Sequence, residues 1–136
     1  MLNGLITTVR EGARYKGESN HWMWIAHRVS GLGVLLFLVT HISGMSFSYF
    51  NPKVHEELLE IYKTPLFSIG ELFLAACLVF HAINGTRIAL LDLKPEWWSE
   101  QHKATRASLL ITALLGAPTI LIMAWKSISF YMASGR

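Results

Sequence analysis

The sequence predicts an all-α integral membrane protein with three transmembrane helices. Of its 136 residues, 52% are hydrophobic and only 15% are charged. The apolar residues are gathered in three long blocks, whereas a soluble helical domain alternates apolar and polar positions along each helix. Because about 20 apolar residues cross a bilayer core, each block is long enough to span a membrane. The length suits one domain covering residues 1–136.

The first block predicts a span over about residues 22–49, with Trp22 and Trp24 at the headgroup level. Asn51 and Pro52 end it. The connection over residues 51–65 carries several charges and predicts a short amphipathic helix. Residues 1–20 are mixed in character, and either a short interfacial helix or a flexible tail is consistent with them.

The second block predicts a span over about residues 65–93, followed by a polar loop with a tryptophan pair as a membrane anchor. The third predicts a span over about residues 105–130 that contains Pro118, where a kink is expected. Cys77 is the lone cysteine, so no intrachain disulfide can form, and we expect a small buried residue there. The net charge of +3 gives no indication of nucleic-acid binding.

The basic residues predict the orientation. With the N-terminus in the cytoplasm, eight of the 12 lysines and arginines fall on the inner side, which places the C-terminus outside. The inner set is Arg10, Arg14, Lys16, Arg28, Arg87, Lys94, Lys103 and Arg106, and the outer set is Lys53, Lys63, Lys126 and Arg136. The printed sequence shows no transit peptide or secretory signal before the first span. We therefore expect a bacterial or archaeal plasma membrane rather than the mitochondrial inner membrane.

A histidine inside the second span is the first candidate for function. Imidazole in a membrane segment is costly without a partner, so His81 is a candidate site residue. Gly85 lies one turn later on the same face and leaves room for a flat, bulky group beside the imidazole. This combination indicates haem. The alternative is a histidine that hydrogen-bonds to a neighbouring helix.

His41, in the first span, is a second candidate. It lies about 20 Å along its helix from Arg28, whereas His81 lies about 9 Å from Arg87. With antiparallel spans, His41 is then roughly 10 Å further across the membrane than His81. Histidines at two different depths indicate either one haem that uses one of them or two stacked haems. In both cases the other haem ligands come from another chain.

Three histidines, His21, His55 and His102, are expected to be solvated or at the headgroups. His27 and Arg28 open the first span at the membrane interface. They either extend to the surface as an ordinary polar pair or contact an anion or a quinone carbonyl, since guanidinium is a planar donor that keeps its charge.

Two motifs carry a resemblance to a known family. They are His27-Arg28-Val29-Ser30-Gly31 and His81-Ala82-Ile83-Asn84-Gly85-Thr86-Arg87, the second followed by Asp92. Together they resemble the cytochrome b membrane anchor of succinate dehydrogenase (complex II), over most of the chain.

The resemblance implies half of a heterodimeric helical bundle, completed by a second membrane-anchor subunit that also has three helices. It also implies haem b, a quinone as substrate, and flavoprotein and iron–sulfur subunits docked on the inner face. Electrons from succinate would pass to quinone in the tricarboxylic acid cycle and the respiratory chain. Such an anchor is a non-catalytic subunit that contributes to the quinone-reduction site. The resemblance also allows three such complexes to assemble as a trimer.

Carried over by position, the resemblance implies that His81 is an axial haem ligand. It also implies that Arg28 lines the quinone pocket and that His27 lies near the haem propionates and the quinone. The remaining candidates for cofactor contact are Trp24, Ser30, Gly85 and Arg87.

Three positions depart from the family pattern. Ile88 stands where a histidine is common after the Gly-x-Arg of the second span. Trp24 stands where many members have a quinone-contacting serine, so an indole N–H would have to donate instead. His41 resembles the first-helix ligand of two-haem members, so two haems are expected, through His81 and His41.

Three other functions remain open from sequence. An anchor of a quinol:fumarate reductase has the same architecture and runs the reaction backwards. The second is a haem-free structural anchor, and the third is a transport protein that uses His81 as a proton relay. The chain has no flavin fingerprint and no cysteine cluster for iron–sulfur ligation, so it does not itself oxidise succinate.

Overall fold

The computed structural model describes residues 19–134 and, nearer the N-terminus, residues 4, 6, 7, 10 and 11. Residues 19–134 form α1 (Ser19–Phe50), α2 (Pro52–Tyr62), α3 (Pro65–Leu93), a 3-10 helix (Pro95–Glu100) and α4 (Gln101–Ser134). The long helices α1, α3 and α4 are each long and apolar enough to cross a membrane. The predicted all-α membrane fold with three spans is confirmed. The alternative readings of residues 1–20 fall mostly outside the described residues.

The turn between α1 and α2 follows directly from its sequence. The side chain of Asn51 accepts a hydrogen bond from the backbone N–H of Val54, and Pro52 occupies the first helical position, where a missing N–H costs nothing. Leu58 and Tyr62 are half-buried on one face of α2, while Glu56 on the other is exposed. The predicted short amphipathic helix is confirmed.

The connection between α3 and α4 is more regular than the predicted polar loop. Residues Pro95–Glu100 form a 3-10 helix that leads straight into α4. The Lys94 ammonium lies 4.6 Å from the ring centroid of Trp97, a cation–π distance, and both tryptophans of this helix remain partly exposed. Helix α4 continues through Pro118 to Ser134.

Helix α3 is the centre of the fold. It packs against α1 on one side and α4 on the other, whereas α1 and α4 hardly touch. Small residues allow close approach: a Cβ on Gly33 would lie 3.7 Å from the Cys77 sulfur, and a Cβ on Gly116 would lie 3.7 Å from Val79. Cys77 is buried, as predicted.

The buried residues divide the bundle into two unlike ends. We call the end that contains the start of α1, the end of α3 and the start of α4 the N-terminal end, and the opposite end the C-terminal end. Buried polar side chains outnumber buried apolar ones among the described residues, and all lie in the N-terminal half: Ser30, Asn84, Thr105 and Ser108. The buried apolar residues are Met23, Cys77 and Leu91. Polar packing therefore holds this half of the bundle together.

Candidate functional site

His81 and His27 form a stacked pair between α3 and α1. Their ring centroids are 4.1 Å apart and the rings are parallel to within 1°. Both side chains are partly buried. The stacking brings two of the predicted site residues into direct contact. Neither motif alone indicated this contact, because it depends on the register between the antiparallel helices α1 and α3.

The Nδ1 atom of His81 has a defined hydrogen-bonding environment. It lies 3.1 Å from the backbone carbonyl oxygen of His27 and 3.3 Å from the hydroxyl of Ser30. The Ser30 hydroxyl itself donates to that same carbonyl at 2.9 Å, so it can accept from His81. A carbonyl oxygen only accepts, so in the neutral imidazole Nδ1 carries the proton and Nε2 has the lone pair. Metal-binding histidines are typically held in this way.

Two glycines make room for the two imidazoles. A Cβ on Gly31 would lie 2.8 Å from Cε1 of His81, so this position of α1 admits no side chain without a shift of the ring. A Cβ on Gly85 would lie 3.2 Å from Cε1 of His27. Gly85 was expected to leave space for a flat group beside the neighbouring imidazole, and here the ring of His27 lies next to it.

Arg87 faces the other neighbour of α3. Its guanidinium donates to the hydroxyl of Thr105, which donates in turn to the backbone carbonyl of Gln101 at 2.9 Å. The side chain is partly buried, and its Nε has no hydrogen-bond partner among the described residues. Arg87 is therefore anchored to α4, about 1.7 turns from His81 on α3.

Arg28 lies outside this cluster. Its guanidinium carbon is 4.1 Å from the ring centroid of Trp24, one turn earlier on α1, and both side chains are exposed. Stacking on indole holds a guanidinium by its face and leaves its N–H donors free at the edge. The residue before Arg28, His27, turns instead towards α3. Successive residues on a helix point about 100° apart, so the pair divides between two environments.

His41 lies away from both groups. It is ten residues beyond Gly31, the α1 residue level with His81, which is about 15 Å along the helix. It lines a cavity of about 490 Å³ at the C-terminal end, and its ring stacks with that of Phe37 at 5.2 Å between centroids. His41 and His81 therefore occupy different levels of the bundle.

Comparisons with known proteins identify the family of this chain. Residues 9–122 match the family described as succinate dehydrogenase/fumarate reductase transmembrane subunit. The chain is 34% identical over 127 residues to the succinate dehydrogenase 2 membrane subunit of Mycobacterium tuberculosis, covering 90% of this chain and 88% of that protein. It is 32% identical over 104 residues to the succinate dehydrogenase hydrophobic membrane anchor subunit of Halobacterium salinarum, covering 74% and 79% respectively.

The chain belongs to the succinate dehydrogenase/fumarate reductase transmembrane subunit family. The predicted resemblance is confirmed, and so is the membrane-anchor role that it implied. A member of this family functions within a complex of several subunits. The two relatives come from a bacterium and an archaeon, and three helices can span a membrane. The predicted prokaryotic plasma membrane is therefore confirmed as well.

Two side chains of this fold have surroundings that the sequence did not indicate. His55 was expected to be solvated, but it is partly buried, and its Nδ1 lies 3.1 Å from the carbonyl oxygen of Gly44 in the wall of the His41 cavity. Asn84 was not among the predicted site residues, yet it is completely buried. Its polarity inside an apolar run, one residue before Gly85, was the signal that could have identified it.

Proposed function

We propose that this chain is the haem b-binding membrane-anchor subunit of a succinate:quinone oxidoreductase, with His81 as its axial ligand. The observation that carries the proposal is the hydrogen bond from His81 Nδ1 to the His27 carbonyl oxygen, which leaves Nε2 as the nitrogen that can bind iron. The family match supports the complex.

The residues around His81 fit this group. Ser30 and the His27 carbonyl orient the imidazole from one side, and Gly31, which has no Cβ, leaves space for the ring against α1. When bound, haem b supplies one-electron transfer between the iron–sulfur subunit and quinone. His81 would hold the haem together with a ligand from the partner anchor subunit, and a haem held in this way would supply electron transfer rather than oxygen chemistry.

Two arginines and Trp24 are proposed to act near the N-terminal end. Arg87, fixed on α4 by Thr105, provides a partly buried cation for a haem propionate. Arg28, held over the Trp24 ring, presents guanidinium donors to a quinone carbonyl. His27, the residue before Arg28, is proposed to lie near both the haem propionates and the quinone. Trp24 would therefore act by holding Arg28, since its ring face already contacts the guanidinium.

The orientation and partners form part of the same proposal. With the N-terminus in the cytoplasm, the N-terminal end faces the iron–sulfur and flavoprotein subunits, and the C-terminus lies outside. Residues 35–42 of α1 are all exposed, although this stretch is largely apolar. This exposed stretch suits contact with the second membrane-anchor subunit, which would complete the bundle and supply the missing haem ligands, with lipid on the remaining surface.

A second haem at His41 is proposed from the cavity at the C-terminal end. The cavity is lined mainly by apolar side chains of α1, α2 and α3, and His41 is in its wall. Its volume of about 490 Å³ is within the range of cofactor sites. The separation of about 15 Å along α1 from the His81 level supports two stacked groups rather than one shared group.

Removal of the His81 imidazole tests the proposal. We expect His81→Ala, purified with its partner subunits, to lose the haem at this level while it keeps its flavin. The measurement is the haem-to-flavin ratio together with the dithionite-reduced spectrum. His102→Ala, at an exposed position of α4, is the control and should keep the full ratio. An unchanged haem spectrum in assembled His81→Ala would contradict the ligand assignment, and an assembled wild-type complex without haem would indicate a purely structural anchor.

A further inference from the structure

A second cavity lies at the C-terminal end of the bundle, beside the one that contains His41. It is an open groove of about 380 Å³ between the start of α3 and the end of α4, with the end of α2 also in its wall. We call it the C-terminal groove. Tyr62 and Glu71 contribute to the walls of both cavities. The volume of the groove is within the range of small-molecule sites, and none of the groups proposed above occupies it.

The groove lies where the apolar part of α4 ends. Residues 109–125 of α4 are largely apolar, and this run ends with Trp125, which is 72% exposed. Lys126 follows it directly and lines the groove. A tryptophan and a lysine at the end of an apolar run are typical of the lipid headgroup level. The groove is therefore open to the part of the bilayer where headgroups lie.

Hydrogen bonds at the rim of the groove fix the level of its two walls. The Tyr131 hydroxyl at the end of α4 donates to the backbone carbonyl of Lys63 at 3.0 Å and lies 2.9 Å from the hydroxyl of Ser68 on α3. Glu71 is three residues further along α3 and Lys126 five residues back along α4, so they lie about 4.5 Å and 7.5 Å deeper than this rim. A carboxylate and an ammonium thus line the groove from two adjacent helices at similar depths.

The charges of the groove are not neutralised within the chain. Among the described residues, neither Glu71 nor Lys126 has an ion-pair partner, and both side chains are exposed. Lys63, the other charged residue of the lining, has its ammonium 2.7 Å from a carboxylate oxygen of Glu60. The charges left for a ligand are therefore one negative and one positive.

This pattern selects a headgroup that carries both charges. A phosphate accepts hydrogen bonds from the Lys126 ammonium, and a primary ammonium donates hydrogen bonds to the Glu71 carboxylate. A purely anionic headgroup would place negative charge beside Glu71, and a quaternary ammonium has no N–H to donate. Met123 and Phe130, which also line the groove, offer apolar surface to an acyl chain.

We propose that Glu71 and Lys126 bind the phosphoethanolamine headgroup of one phospholipid in the C-terminal groove. The phosphate lies against Lys126 and the ammonium against Glu71. The inference does not depend on haem or quinone, and it holds for either orientation of the chain in the membrane.

Lipid retention by the assembled complex is the first test. The complex, purified with its partner subunits and depleted of lipid in detergent, is given equal amounts of phosphatidylethanolamine, phosphatidylcholine and phosphatidylglycerol with identical acyl chains. Native mass spectrometry then counts the lipids that stay bound. We expect phosphatidylethanolamine to be retained up to about 5-fold more than either of the others, the size of an exposed ion pair. Preference for the anionic lipid would overturn the proposal, and so would unselective retention, which is the result expected if the second anchor subunit covers the groove.

Charge-removing variants test whether this groove is responsible. Glu71→Gln should abolish the preference for phosphatidylethanolamine over phosphatidylglycerol, because the carboxylate that bonds the ammonium and repels the anionic headgroup is gone. Lys126→Gln should lower the retention of all three lipids, since each carries a phosphate. Glu57→Gln and Lys53→Gln remove the same charges from exposed positions of α2 outside the groove and are the controls. An unchanged preference in Glu71→Gln, or an equal loss in the controls, would contradict the assignment.

Discussion

The contact between Gly31 and His81 offers a sensitive test of how the imidazole is held. A Cβ at position 31 would lie 2.8 Å from Cε1 and 3.3 Å from Nδ1 of His81. Ordinary contact begins at 3.4 Å, so in Gly31→Ala the ring and α1 must separate by about 0.6 Å. The ring cannot retreat freely, because its Nδ1 is bonded to the His27 carbonyl and its face is stacked on His27.

We therefore expect Gly31→Ala to weaken haem binding without removing the ligand itself. Loss of the groups that orient a metal-bound histidine typically lowers metal affinity about 10–100-fold. The assay is the haem-to-flavin ratio of the purified complex, followed during dilution, with the reduced spectrum and the midpoint potential of the remaining haem.

Gly33→Ala is the matched control. It adds the same methyl group two residues later on α1, where the new Cβ would lie 3.7 Å from the Cys77 sulfur, an ordinary contact. This variant should keep wild-type haem content and potential. Equal haem retention in the two variants would refute the reasoning about His81. Equal loss in both would show that helix packing in general, rather than this contact, controls the site.

Two further substitutions test the other proposed groups. His41→Ala should remove about half the haem while the reduced spectrum of the His81-level haem stays the same, and an unchanged haem-to-flavin ratio would leave a one-haem model. Arg28→Ala should slow quinone reduction by about 10–100-fold, since a hydrogen bond to a charged group contributes about 1.5–3 kcal/mol and each 1.4 kcal/mol is a factor of ten. Succinate oxidation with an artificial acceptor should be spared, whereas equal loss of both activities would indicate failed assembly.

The sequence determines the helices well because a single strong physical signal defines them. Blocks of apolar residues set the three long helices, and the Asn51-Pro52 pair with the charged residues after it sets α2. The 3-10 form of Pro95–Glu100 was missed, since proline, charge and tryptophan suit a loop and a short helix equally well.

The partners of the individual side chains were harder to predict. The sequence indicated Ser30 and His81 as candidate site residues, and the two are in contact. The sequence could not supply the antiparallel register between α1 and α3, which depends on how closely Gly31 and Gly33 let the helices approach. Without that register, the stacking of His27 on His81 cannot be derived from the sequence.

The partners of His55, a residue outside the spans, could not be predicted from the sequence either. Its position in a charged connection indicated solvent, but the turn at Asn51 folds α2 back along the end of α1. The imidazole then meets the Gly44 carbonyl, and Tyr62, about two helix turns further on, lies 3.0 Å from where a Gly44 Cβ would be. A missing side chain on α1 thus makes room for α2, and only the three-dimensional turn reveals it.

The distribution of buried polar groups explains why function is expected at the N-terminal end. Lipid is as apolar as leucine, so burying apolar surface between membrane helices gives little association energy, and hydrogen bonds and close packing must supply it. Ser30 connects His81 with the His27 carbonyl, and Thr105 connects Arg87 with α4. The bonds that join the helices here are therefore the same bonds that orient the candidate ligand and the candidate propionate partner. A substitution that loosens the site at this end should loosen the helices too, so haem content and thermal stability have to be measured on the same preparations.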